Sequence, residues 1–292
     1  MDHFLNSHFA ARSGFWGTTT TPFCEVGYLV TPYIAEFWNC ISNCAYLFVG
    51  ISGLVSAFKR NSEWRFKSLH LFVILIGLGS GLYHMTMMRS WSLLDIGPMI
   101  GFCFSNNYVY VMMGAKKANL RWLVALVFAI LCVGVLHVSW VHPEWFNLLF
   151  LAVAGSSVPT AFFWCLDSPE FAGKRGKKEI YRRIAFWFLA CSLFGIASLV
   201  WCGDKILCGK LRALRAALAL KYGVAGSLLA GALEFHAWWH LLTALALHTT
   251  STLGEYLRRA RLGTPARFGD ILFCRGGVFP KDSGMPHEKS VA

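Results

Sequence analysis

The sequence predicts an all-α integral membrane protein with seven transmembrane helices. Hydrophobic residues make up 56% of the 292 positions and charged residues only 14%, and the mean hydropathy is +0.50. A soluble domain carries about 25% charged residues. In addition, seven apolar segments are each long enough to cross a bilayer. They are continuous rather than alternating, which favours helices over a β-barrel.

The seven predicted spans follow one another along the whole chain. A span needs about 20 residues of helix. Acidic residues are rare within them: Glu36 lies in the first, Asp95 in the third and Glu234 in the last. The last is longer than one span needs, so we expect its first turns to lie at a membrane interface. The predicted spans are 33–58, 71–88, 93–115, 122–141, 145–166, 184–203 and 222–251.

The basic residues predict the orientation. The connections after the first, third and fifth spans and the C-terminal tail hold nearly all the Lys and Arg, as cytosolic segments do. We therefore expect a lumenal or outside N-terminal loop over 1–32, a membrane domain over 33–255 and a cytosolic tail over 256–292. The segment 204–221 disagrees, because it falls on the lumenal side yet carries several basic residues: Lys205, Lys210, Arg212, Arg215 and Lys221.

The net charge of +12 does not indicate nucleic-acid binding. The basic residues lie in short connections, and no folded soluble domain is predicted that would carry a basic face. No pattern in the sequence indicates a protein partner. The N-terminus lacks a basic stretch followed by a short apolar one, so we expect no cleaved signal peptide and insertion by the first span.

Three histidines at membrane depth give the strongest functional signal. His84 lies near the end of the second span, and His236 and His240 share one helical face of the last span. Ionisable side chains inside spans are costly and mark functional sites. Three imidazoles with one open position are the ligand set of a catalytic zinc ion. The alternative is three hydrogen-bonded packing or interfacial histidines.

Two more polar side chains share that depth. Ser80 lies one turn before His84, and Asp95 begins the third span after a short turn. An Asp near a metal can accept the proton of an attacking water, and a Ser can donate a hydrogen bond to a developing oxyanion. Together with the histidines they favour a catalytic metal site over packing alone.

The first span carries a polar stripe at its outer end, formed by Glu36, Asn39 and Asn43. Spacing alone favours a polar seam between helices. The alternative is an oxygen-ligand cation site shared with Glu25. Asp204 is either a partner of a histidine or a simple loop charge, and spacing does not decide between them.

Four motifs resemble the alkaline ceramidase family, which are seven-helix amidases of the secretory pathway. They occur in the family's order and spacing, and the resemblance covers about residues 14–255. The motifs are Gly14-Phe15-Trp16-Gly17, Tyr33-Ile34-Ala35-Glu36-Phe37-Trp38-Asn39, Gly79-Ser80-Gly81-Leu82-Tyr83-His84-Met85-Thr86 followed by Leu94-Asp95, and Phe235-His236-Ala237-Trp238-Trp239-His240.

The resemblance implies a zinc ion held by His84, His236 and His240, with Asp95 activating the water on that zinc and Ser80 stabilising the oxyanion. The implied substrate is ceramide, an N-acyl sphingoid base, which is cut to a free fatty acid and sphingosine or a related base. The implied location is the endoplasmic reticulum or Golgi, with a lumenal N-terminus as the loop charges also predict.

Two other functions are weighed against ceramide hydrolysis. A seven-helix lipid sensor of the progestin and adiponectin receptor type would share the metal site but run in the opposite orientation, which the basic loops disfavour. A transporter is disfavoured because the sequence shows no two related halves with Gly- or Pro-broken helices.

Calcium stays open as a second cofactor. Family members that depend on calcium hold it with side chains of the N-terminal loop and the Glu of the first helix. Glu25 and Glu36 match that pattern, but Pro22 and Gly27 stand where Asp and Asn would be expected. Fewer charged ligands imply weaker binding.

Cys24 and Cys208 are predicted to form a disulfide. In the predicted orientation both lie on the lumenal side, where disulfides persist. The bond would tie the N-terminal loop to the exit of the sixth span.

Overall fold

The computed structural model describes residues 13–18, 23–115, 118–167 and 174–262. Within them the protein is all-helical apart from one short antiparallel hairpin, formed by β1 (Ser13–Gly14) and β2 (Gly17–Thr18). The α-helices are α1 (Phe37–Ser42), α2 (Cys44–Lys59), α3 (Trp64–Thr86), α4 (Ser92–Val111), α5 (Ala118–Val141), α6 (Phe146–Leu166), α7 (Lys174–Ile206), α8 (Cys208–Gly231) and α9 (Phe235–Arg261). Single 3₁₀ turns precede α4 (Arg89–Trp91) and α6 (Pro143–Trp145).

Five segments of the described chain are long and apolar enough to cross a membrane: Phe37–Lys59, Trp64–Thr86, Asn119–Val141, Pro143–Leu166 and Lys177–Ile206. The first combines α1 and α2. The helices α4 and α9, predicted as the third and seventh spans, are also present, but they carry polar residues such as Asp95, Asn106 and Arg258 that lower their hydropathy. Most of the predicted tail lies outside the described residues.

The helix α8 differs from the sequence prediction. We expected a basic loop over 204–221 and a last span over 222–251, whereas α8 runs over Cys208–Gly231 and α9 begins only at Phe235. The segment is rich in Leu, Ala, Lys and Arg, which are strong helix formers, so the charges lie on a helix. Gly223 has a positive φ of 57° and kinks α8, a conformation that glycine adopts readily.

The helices α3 and α9 form the centre of the bundle. The largest buried cluster joins α3 to α4 and α9 through Phe66, Leu69, Val73, Val109, Tyr110, Leu253 and Leu257. The helix α5, in contrast, exposes most of its large apolar side chains, including Trp122, Ile130 and Val133. An exposed apolar face of this kind suits contact with lipid.

Candidate metal centre

The three predicted histidines meet in space. His84 lies in the last turn of α3, while His236 and His240 lie in the first turns of α9. One ligand atom from each lies within 4.8 Å of the others, and the rings meet at steep angles with centroid distances of 4.7 to 5.0 Å. All three side chains are buried. In the part of the chain that the structure describes, this is the one such group of His, Cys, Asp or Glu.

Hydrogen bonds fix the tautomers of two rings. His84 Nδ1 donates to Glu36 Oε2 at 2.8 Å, since a carboxylate can only accept. Ser42 Oγ donates to the carbonyl of Asn39 at 2.9 Å, so His240 Nδ1 donates to Ser42 Oγ at 2.7 Å. In each ring the lone pair then resides on Nε2. A carboxylate or hydroxyl behind a ligating imidazole is the usual outer partner in zinc sites.

Two imidazole nitrogens of this centre lack a hydrogen-bond partner among the described residues. They are Nε2 of His84 and Nδ1 of His236, and both are buried. Leaving a buried acceptor without a hydrogen-bond partner costs about 1–3 kcal/mol. Two such nitrogens beside a third imidazole therefore need an explanation. Three neutral imidazoles that converge on one point are a donor set suited to zinc. The residues present therefore fit a tetrahedral metal ion with one open position.

Glu36 is held from three directions. It is fully buried and accepts from Phe23 N at 3.1 Å, Asn39 Nδ2 at 2.9 Å and His84 Nδ1. The backbone at Glu36 also bonds to the His84 carbonyl at 3.0 Å. The polar stripe on the first span thus serves the histidine centre. The spacing of residues in the sequence does not indicate this role, or that of Ser42, because both contacts join segments far apart in the chain.

The Ser80 and Asp95 side chains lie beside the histidines and next to each other. Ser80 is buried one turn before His84, and Asp95 in the first turn of α4 is close enough to hydrogen-bond to it. Asp95 also lies near His84. Ser80, Asp95 and the three histidines are therefore in one place.

A close approach of two helices brings Ser80 and Asp95 together. A Cβ at Gly79 would lie 1.7 Å from the Leu94 carbonyl oxygen, so only glycine allows α3 and α4 to come this near. Pro98 has no N–H and leaves the Leu94 carbonyl without its helical donor. That oxygen is free to project toward Gly79. The contact therefore fixes the position of Ser80, which follows Gly79, relative to Asp95, which follows Leu94.

An apolar cavity of about 280 Å³ lies inside the bundle beside the histidines. Trp239, which sits between His236 and His240 on α9, forms part of its wall, and so does Tyr46, whose ring centroid is 6.0 Å from that of His240. The wall is mostly aromatic and aliphatic, which suits a hydrocarbon chain. The cavity also receives side chains from α4, α6 and α7, including Phe102, Cys103, Phe150, Ala154 and Phe194.

The N-terminal loop covers the histidine centre. The Phe23 ring lies 4.3 Å from that of His236 and 5.0 Å from that of His84. Glu25 accepts from Trp38 N at 2.8 Å and Asn39 N at 2.9 Å, which caps α1. Burial, together with the nearby charge of Glu36, raises the pKa of Glu25 to about 8. Whether Glu25 and Glu36 bind calcium stays a prediction that depends on the donors around them.

Cys208 and Asp204, both singled out in the sequence, contact the loop at Cys24. The Cα atoms of Cys24 and Cys208 are 5.2 Å apart and their sulfur atoms face each other, a separation that suits a disulfide. Asp204 accepts from Cys24 N at 3.4 Å and from the backbone of His236. Asp204 thus joins the loop to the start of α9, and its histidine contact is through the main chain.

The chain is similar over most of its length to known ceramidases. The Ceramidase family model matches residues 16–280. Alkaline ceramidase 3 of Mus musculus is 28% identical over 253 residues, which cover 85% of this chain and 87% of the relative. An alkaline ceramidase of Saccharomyces cerevisiae is 28% identical over 288 residues, covering 92% and 85%. An alkaline ceramidase of Arabidopsis thaliana is 28% identical over 204 residues, covering 67% and 73%.

Proposed function

This chain belongs to the ceramidase family and is a ceramidase hydrolase, and we propose that it cleaves the amide bond of ceramide at a zinc ion within the membrane. The products are a free fatty acid and sphingosine or a related base. The observation that carries the zinc assignment is the convergence of His84, His236 and His240, two of them with an unpaired buried nitrogen. The similarity to ceramidases favours this function over the lipid-sensor alternative.

The chain's own residues orient the reaction. Zinc, when bound, would polarise the amide carbonyl and acidify a water molecule. Glu36 and Ser42 hold the His84 and His240 rings with Nε2 facing inward. Asp95 takes a proton from the attacking water and returns it to the nitrogen of the leaving sphingoid base. Ser80 donates a hydrogen bond to the carbonyl oxygen as negative charge develops there.

The cavity supports a substrate with long hydrocarbon chains. Its apolar wall meets the histidine centre at Tyr46 and Trp239, so a lipid chain in the cavity would place its polar end near the three imidazoles. The substrate can then enter from the bilayer and need not pass through water. Burial of the chain also excludes water from the reacting amide, which strengthens the electrostatic contribution of Asp95 and Ser80.

The zinc assignment is tested by the metal content of the purified protein, measured by plasma mass spectrometry. We expect about one zinc per chain, which is the stoichiometry of a single three-histidine site. His240→Ala should lose the metal and the hydrolysis of a ceramide together. Folded, active wild-type protein without zinc would disprove the assignment.

We also infer seven spans with a lumenal N-terminus and a cytosolic C-terminus, in the endoplasmic reticulum or Golgi. Arg212 and Arg215 belong to the basic segment that does not fit this orientation by charge alone. Both contact the N-terminal loop, so their charges serve a contact within the protein. Terminal epitope tags in cells with a selectively permeabilised plasma membrane test the orientation. An N-terminal tag that reacts before the internal membranes are opened contradicts it.

A disulfide between Cys24 and Cys208 follows from the same orientation. The two sulfur atoms face each other, and the lumen is oxidising enough to keep such a bond. Non-reducing peptide mapping should recover the two peptides as one linked species. Two free thiols at these positions would contradict the pairing.

A further inference from the structure

Two arginines of α8 hold the backbone of the N-terminal loop. Arg212 Nε donates to Cys24 O at 2.8 Å, and its Nη2 donates to Phe23 O at 3.0 Å. Arg215 Nη2 donates to Cys24 O at 2.9 Å. Arg215 is buried and Arg212 half-buried. Guanidinium groups therefore occupy the inner side of the loop, where its carbonyl oxygens point.

The same two arginines compensate a group of buried carboxylates. Arg215 forms an ion pair with Glu234 and lies near Asp204, and Arg212 lies near both Glu36 and Asp204. Each of these carboxylates is at least nine-tenths buried. A buried charge is costly unless it is paired, so the loop and the acidic cluster both depend on positive charge at this point.

The described residues offer a calcium ion few of the ligands that it needs here. Calcium takes six to eight oxygen ligands. Both oxygens of Glu25 accept backbone N–H groups, and both oxygens of Glu36 accept N–H donors as well. The carbonyls of Phe23 and Cys24 already accept from the arginines. Gly27 offers no side chain, and two guanidinium groups would repel a divalent ion.

We propose that Arg212 and Arg215 take the place of that calcium ion as a built-in pair of cations that positions the histidine centre. The path runs through the loop: the arginines hold Phe23 and Cys24, the Phe23 N–H binds Glu36, and Glu36 orients the His84 ring. The arginines are positioning residues, since they act on the histidines through the loop. The protein is then independent of calcium, whereas loss of either guanidinium loosens the metal site.

The first experiment tests calcium on the wild-type protein in detergent. Thermal unfolding is followed with zinc retained and free calcium varied from a chelated level to millimolar. We expect no change in Tm, because the loop already carries its cations. A saturable rise in Tm with calcium would overturn the proposal. This readout needs no ceramide, so it remains valid even if the assay for ceramide hydrolysis fails.

The second experiment compares Arg212→Gln and Arg212→Lys with a matched control, Lys210→Gln, which removes an exposed charge from the same helix. Zinc retention against a competing chelator is measured for each. Arg212→Gln should weaken retention measurably, by less than the about 10–100-fold that loss of a direct outer partner such as Glu36 causes, because Arg212 acts through the loop. Arg212→Lys should recover part of the zinc retention, because lysine keeps the positive charge but lacks the planar guanidinium that donates two hydrogen bonds at once.

Two outcomes of the second experiment count against the proposal. If Arg212→Gln and Lys210→Gln retain zinc equally well, the guanidinium does not act on the histidine centre. Arg212→Gln that unfolds while Arg212→Lys also fails would show a packing role alone. Should ceramide hydrolysis be absent from the wild type, the proposed function fails, but zinc retention still decides the role of the arginine.

Discussion

The two ends of α9 both bury charged or ionisable side chains, but they differ in how many of the polar atoms are paired. At the C-terminal end, Glu255 accepts from Arg60 Nη2 at 2.9 Å, from Arg259 Nε at 2.9 Å and from Ser62. Both carboxylate oxygens are satisfied. At the N-terminal end, His84 Nε2 and His236 Nδ1 are equally buried but lack partners among the described residues.

The difference separates a structural network from a binding site. A fully paired buried ion pair fastens elements together, here the turn between α2 and α3 to the end of α9. Convergent unpaired nitrogens, by contrast, are stable only if a ligand completes them. Changes at the C-terminal end should therefore affect stability, and changes at the N-terminal end should affect metal binding and catalysis.

The largest expected effect is on catalysis at the histidine end. Asp95→Asn removes the proton acceptor but keeps the size of the side chain, so zinc and fold should be retained while kcat falls by about 10²–10⁴-fold. Ceramide hydrolysis and zinc content are measured on the same preparation. Full activity in this variant would remove Asp95 from the mechanism, and loss of zinc would assign it a structural role.

The paired end should give the opposite result. Arg60→Met leaves Glu255 buried without its main partner, which costs about 3–5 kcal/mol for a broken buried pair. We expect a lower free energy of unfolding in a detergent and denaturant titration, with zinc content and kcat per folded molecule unchanged. A loss of zinc with normal stability would contradict the division between the two ends.

The sequence predicts the local part of the histidine end. The spacing of His236 and His240 and the length of the apolar segments are properties of single helices, so periodicity is enough to place these histidines and most helices. The contacts that orient the rings are not local: Glu36 meets His84 across 48 positions and Ser42 meets His240 across 198. No pattern of spacing reports such pairs.

The helix α8 shows a second limit. Its many basic residues favour a loop in the sequence, because the groups that pair with them lie far away in the chain. In the structure Arg212 and Arg215 bind the N-terminal loop and Glu234. The sequence contains both partners, but the link between residues 23–25 and 212–215 is a property of the fold.

A smaller effect on catalysis is expected from the helix contact that sets the site's geometry. Gly79→Ala places a Cβ against the Leu94 carbonyl, 1.7 Å away before any movement, and forces α3 from α4. A displacement of about 1 Å at a catalytic centre can cost about 10²-fold in rate. The control is Gly134→Ala on the exposed face of α5, where nothing lies within 4 Å of the new Cβ. Equal kcat for the two variants would show that Ser80 and Asp95 tolerate the shift.

The smallest effect concerns stability at the histidine end and its dependence on pH. Because the pKa of Glu25 is raised by burial from 4.5 to about 8, the folded protein binds a proton that the unfolded chain has lost over this range. Stability should therefore fall as the pH rises from about 4.5 to 8. Glu25→Gln, which cannot ionise, should flatten that fall in a series of Tm measurements, whereas Glu144→Gln at an exposed carboxyl should not. A wild-type Tm that is constant across this range would mean that the loop holds Glu25 ionised, with the arginines as its counter-charge.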